Sequence, residues 1–157
     1  MSPADGGFKP RGASTRTGLV LNLGVLDQPY ASGNAVTTGD VAKILEAEYG
    51  IMRAFVRVHG KVITDAIGSS VENAITALVN GQRIDPWGAG TQKIMQAFRV
   101  FIYSGEAERV GIPGTPTQAA LKGVNHRRAH PYRKSNPRRP SFRDTGLYVA
   151  SFRSWVT

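Results

Sequence analysis

The spacing of apolar residues between Val41 and Leu78 constrains this chain more than any other feature. Val41, Ile44, Leu45, Met52, Phe55, Val56, Ile63, Ala66, Ile67, Val71, Ala74, Ile75 and Leu78 follow one another mostly at steps of three or four. That is the period with which an α-helix returns to one face. The spacing predicts an amphipathic helix, either continuous to about Val79 or broken near Gly60 or Gly68, since an internal glycine costs about 1 kcal/mol against alanine. Thr37 or Thr38 can cap its start, with Asp40 in the first turn facing the positive end of the helix dipole. Asn80-Gly81 is its expected end.

Shorter elements flank this helix. Gly18 to Leu26 is a brief apolar run bounded by turn residues, and its length favours a strand; residues 27–39 follow as a loop. After the turn Asp85-Pro86-Trp87-Gly88, a second helix is expected from about Thr91. Ile94, Met95, Phe98, Phe101 and Ile102 share its face, and Gly111-Ile112-Pro113 stops it. A short third helix is expected to start with Pro116 at its first position and to cover Gln118 to Lys122. At the end, Leu147 to Val156 is aromatic and β-branched enough for a strand, with a first helical turn at 145–151 as the competing possibility. The expected fold class is α+β: a long helix and one or two shorter ones on a small, mostly antiparallel sheet, with the terminal strand pairing beside 19–26. The expected organisation is a flexible arm at 1–17, a helical body with its strand at 18–124, a basic extended loop at 125–143, and a returning strand at 144–157.

Charge is distributed very unevenly. Residues 1–120 hold eleven Lys/Arg against ten Asp/Glu, whereas residues 121–157 hold nine against Asp144 alone. A nearly neutral body thus carries a strongly basic C-terminal part, which suits acidic partners. There is no cysteine, which removes disulfides and thiolate ligands and fits folding in a reducing cytoplasm. No apolar run approaches the roughly 18 residues needed to cross a bilayer. Met1 to Gly7 lack a basic region followed by an apolar stretch, so no secretion signal is expected.

Catalytic constellations are hard to find. Enzymes of hydrolase or transferase type need a nucleophile, a base and an orienting group that converge. His59 lies on the apolar stripe of the long helix, four residues from both Phe55 and Ile63, and is expected to be structural. His126 and His130 sit in a proline-broken segment among seven cations, where a metal ion would be repelled. Glu46 and Glu48, like Glu106 and Glu108, stand two apart and point in different directions, so solvated helix faces are expected. No phosphate-loop pattern occurs. No catalytic residue, cofactor or metal is expected, and the chain is expected not to be an enzyme.

The concentrated feature is the basic loop. Arg127, Arg128, Arg133, Lys134, Arg138, Arg139 and Arg143 are interleaved with Tyr132 and Phe142. Guanidinium forks suit phosphates and carboxylates alike, and the aromatic rings can stack on bases. Protein docking, contact with a nucleic-acid backbone, and an inert charged surface all remain open. Pro131, Pro137 and Pro140 forbid a regular helix, so extended chain that orders only on gripping a partner is expected. Asp144, Thr145 and Gly146 then turn the chain, Asp144 accepting local backbone hydrogen bonds and Gly146 permitting positive φ.

Several strings in the C-terminal half resemble tailed-bacteriophage virion proteins of the tail-completion and head–tail connector region. They are Gly111 to Arg127 (GIPGTPTQAALKGVNHR), Arg139 to Tyr148 (RPSFRDTGLY) and Ser151 to Val156 (SFRSWV), with Thr37 to Ala42 at the entry to the long helix. The resemblance spans roughly residues 37–157. In such proteins the Asp-Thr-Gly turn leads the chain back into the sheet. It implies a non-enzymatic structural protein of the neck or tail, forming a homo-oligomeric ring that touches portal, tail tube, sheath or tail terminator. The expected location is the virion, after assembly in the host cytoplasm, with no membrane contact. The alternatives are a baseplate or tail-tube-associated protein, or an accessory protein that binds nucleic acid without sequence preference.

Overall fold

The computed structural model of the protein describes residues 18–30 and 36–157. The arm expected at 1–17 lies outside them, as do residues 31–35 of the expected loop. The fold is α+β: among the described residues, six helices pack on a two-stranded antiparallel sheet.

The long apolar stripe forms two helices. The first, α1 (Thr38–Tyr49), starts at a reciprocal cap. The Thr37 hydroxyl accepts from the Asp40 amide at 3.2 Å, and the Asp40 carboxylate accepts from the Thr37 amide at 3.2 Å, an arrangement that satisfies two otherwise orphaned donors. The helix ends at Gly50, where φ is +60°. Glu46 then clamps the break, its carboxylate accepting from the Met52 amide at 2.8 Å and pairing with Arg53 at 2.8 Å. The break is thus at Gly50, not at Gly60 or Gly68. The second helix, α2 (Ile51–Val79), runs through both of those glycines and is only kinked at His59. Its expected end holds, with Asn80 as the cap residue and Gly81 at positive φ.

Helix α3 (Gly88–Tyr103) begins three residues earlier than expected and packs antiparallel against α2. The two backbones come close because residue 90 is glycine: a Cβ there would lie 2.7 Å from the Ala66 carbonyl oxygen. The chain breaks at Gly105 before a single further turn, α4 (Glu106–Arg109), and Gly111 follows at positive φ. The next short helix, α5 (Gln118–Leu121), is capped by Thr117, whose hydroxyl accepts from the Ala120 amide at 3.2 Å. Pro116 therefore stands before the cap instead of at the first helical position.

The terminal segment is divided. Helix α6 (Leu147–Ser151) makes one turn before strand β2 (Phe152–Val156), so the competing helical turn is present and the strand is shorter than expected. Strand β2 pairs with β1 (Leu21–Val25), Val25 opposite Phe152 and Leu21 opposite Val156. Alternation holds along β2: Phe152 and Ser154 are buried, while Trp155 faces out over Gly24.

Phe55, Phe98, Phe101 and Phe152 form the centre of the core with Ile51, Ile94, Ile102 and Val149, all fully buried. Phe98 stacks on Phe152 at 3.9 Å between centroids, and Phe55 meets Phe98 edge-on at 5.2 Å. At about 1.5–3 kcal/mol for each large apolar side chain buried, this cluster joins α2, α3 and β2 into one body.

Candidate functional site

The basic segment differs from its expected extended form: it is a succession of closed turns. The Asn125 amide donates to the Pro131 carbonyl at 3.2 Å, Arg128 to Asn125 at 3.1 Å, Arg133 to His130 at 3.3 Å, and Asn136 to Arg133 at 2.9 Å. The Asn136 side-chain amide also donates to the carbonyls of His130 and Pro131 at 3.0 and 2.9 Å. The prolines do exclude helix, but asparagine side chains supply the turn-closing bonds that prolines cannot donate. The single chain already folds this segment without a partner, contrary to the expected ordering on contact.

Three staples fasten the loop to the body. The first is Glu108, on α4. One of its carboxylate oxygens accepts from the Ser141 amide and hydroxyl, both at 2.7 Å, and the other pairs with Arg138 at 2.7 Å. Burial by itself raises the Glu108 pKa, but the Ser141 hydrogen bonds and the Arg138 guanidinium outweigh it, holding the carboxyl below its usual range. The second is Phe142, which packs edge-on against Tyr49 at 5.0 Å with its backbone at φ +64°. The third is Arg139, half-buried, which donates from Nε to the Val124 carbonyl and from Nη1 to Pro140 at 3.1 Å. Its pKa is lowered by burial, with the Asp144 charge opposing.

The Asp144-Thr145-Gly146 turn also acts at longer range than expected. Asp144 accepts from the His126 backbone amide at 2.8 Å, while its second oxygen meets His126 Nδ1 at 2.5 Å. His126 Nε2 in turn lies 2.8 Å from the Tyr132 hydroxyl. Arg127 donates from Nε to the Thr145 carbonyl. Gly146 sits at φ +83°, which a side-chain-bearing residue resists, and its carbonyl accepts from the Ala150 amide at 2.9 Å as α6 begins.

Of the residues singled out from sequence, Arg127, Arg128, Arg138, Arg139 and Arg143 line one cleft of about 210 Å³ together with Asp144. Arg143 also lies over the Tyr103 ring at 5.0 Å. Arg133 and Lys134 are exposed outside the cleft, and Tyr132 is 72% exposed with its hydroxyl held by His126. Phe142 faces the body and is an anchor. Sequence reasoning missed Glu108, Ser141 and His126: both Glu106 and Glu108 were expected on a solvated face. Glu106 instead lies 3.2 Å from His59 Nε2. His59 stacks on Phe55 at 5.1 Å, the structural placement expected of it.

Among the described residues, no three His, Asp or Glu side chains gather as a metal ion requires, and no helix is long and apolar enough to cross a membrane. No protein-family model matches the chain, and no curated protein or solved structure matches it at a significant level.

Proposed function

We propose that this chain is a structural protein of a tailed-bacteriophage virion, part of the neck, head–tail connector or tail-completion ring, acting by docking and not by catalysis. The observation that carries this proposal is the course of the Arg139–Tyr148 string. It leaves the basic loop, turns at Asp144-Thr145-Gly146, and returns through α6 to the sheet, as the resemblance implies. The loop then offers portal, tube, sheath or terminator proteins a pre-folded surface, which lowers the ordering cost of association.

A second observation supports contacts between copies. Ile75, Leu78 and Val79 are exposed at the far end of α2, by 58, 75 and 80%, beyond the start of α3. The basic loop is fastened at the opposite end of α3, beside Tyr103 and Glu108. Unlike surfaces at two ends suit heterologous, head-to-tail contacts, which build a ring where the rotation between copies closes and a filament where it does not.

Native mass spectrometry tests the proposal. A discrete closed oligomer is expected, either from the protein alone or on mixing with portal or tube rings. Replacing Leu78 and Val79 together by Lys, which suits the last turn of α2 but faces the cationic loop of the next copy, is expected to abolish it while the melting temperature holds. A chain that stays monomeric and joins no virion ring contradicts the proposal.

A further inference from the structure

We infer that the arginine cleft is a binding site for the phosphodiester backbone of nucleic acid, engaged without regard to base sequence. This deepens the docking role proposed above by naming a partner for one surface, but the chemistry stands on the cleft itself.

The arrangement of the guanidinium groups carries the inference. Each guanidinium has five N–H donors, and three of the five that line the cleft are fixed through only part of that set. Arg127 is held by Thr145, Arg138 by Glu108 and Arg139 by Val124 and Pro140. The Arg143 guanidinium carbon lies over the Tyr103 ring at 5.0 Å, a contact that uses none of its N–H donors in a hydrogen bond. Side chains already positioned lose little entropy on binding, and a planar fork meets two oxygens of one anion. The one carboxylate in the lining, Asp144, is occupied on both oxygens by His126. Acceptors are therefore engaged by the protein, while donors remain for a ligand.

Size and surroundings narrow the ligand. A cleft of about 210 Å³ admits a phosphate group but not a folded partner. Arg133 and Lys134 add exposed positive charge on the same loop, between the lining residues Arg128 and Arg138, so the anion it suits is one of a chain. Tyr132, 72% exposed, is tethered through His126 to Asp144, which lines the cleft. A ring held in place next to a run of cations suits stacking on an unpaired base, a feature that an acidic peptide does not use.

Fluorescence anisotropy on the full-length protein provides the test. The probes are labelled oligonucleotides of two unrelated sequences, each single-stranded and duplex, titrated at several salt concentrations with polyglutamate as competitor. Both sequences are expected to bind alike, with affinity falling linearly in log salt. Arg128→Ala with Arg143→Ala is expected to reduce that slope by about 2, one for each phosphate no longer neutralised, with the far-ultraviolet circular dichroism of the folded chain retained. Tyr132→Ala is expected to weaken single strands by roughly five- to hundredfold and duplex far less; an equal loss on both overturns the stacking role of the ring. Absence of binding, displacement by polyglutamate at equal charge, or an unchanged slope in the double variant each overturns the inference. The last would assign binding to cations elsewhere, such as Lys9, Arg11 and Arg16. Loss of nucleic-acid binding with ring formation intact removes this inference only; a nucleic-acid-binding protein that forms no ring removes the virion proposal instead.

Discussion

Glu108 shows how much a single side chain can organise. It satisfies two donors of Ser141 and one of Arg138 from a side chain only 14% exposed. Glu108→Gln leaves at least one of those donors facing an amide N–H₂, and removing a buried partner costs about 1–3 kcal/mol. Urea unfolding at pH 7 is expected to show that loss. The pH dependence has a definite sign. Because its pKa is lower in the folded chain than the ordinary 4.5, Glu108 stabilises fully above that value, and the contribution is lost as pH falls through the folded pKa. The gap between wild type and variant should close on acidification below pH 4.5; a gap constant down to the acid limit would contradict this account. None of these partnerships was legible in the sequence. The cluster of cations was, because charge is a property of composition. Their anchors were not: Glu108 and Ser141 lie 33 positions apart, and His126 and Asp144 lie 18 apart. Pairs so distant leave no local pattern.

At the scale of elements, periodicity identified the helices but not their joints. The apolar series skips seven residues twice, from Leu45 to Met52 and from Val56 to Ile63, and these gaps hold the break at Gly50 and the kink at His59. Seven residues are nearly two whole turns, so the phase survives and one helix is the natural expectation. Gly50, Gly60 and Gly68 are indistinguishable by type; only the first has positive φ. Opposite outcomes are therefore expected on substitution. Gly50→Ala should cost about 1–2 kcal/mol, because alanine resists the left-handed region. Gly68→Ala should stabilise by up to about 1 kcal/mol, since nothing lies within 4 Å of an added Cβ. Denaturation midpoints moving in opposite directions at unchanged m-value would bear this out; shifts of the same sign would not. The terminal helical turn was the other partly legible element. The sequence left helix and strand both open there, and the chain forms one after the other.

For the whole molecule, the α+β class and the partnership of the first and last strands were legible, because few other apolar segments were short enough to pair. Their packing depends on Phe152, which belongs to the sheet yet sits among the helical aromatics, stacked on Phe98 and 6.3 Å from Phe55. Phe152→Ala is expected to cost about 3–5 kcal/mol, read as a fall in the urea midpoint together with loss of near-ultraviolet circular dichroism. Unaltered stability would mean that the sheet is peripheral to the body. The same pairing has a consequence during synthesis. The bond from Asn22 to Thr157 spans 135 positions, so at about 5–20 residues per second β1 waits on the order of ten seconds on the ribosome for its mate. Meanwhile the α2–α3 hairpin can close locally, and the nascent chain carries a bare strand edge until β2 has been made.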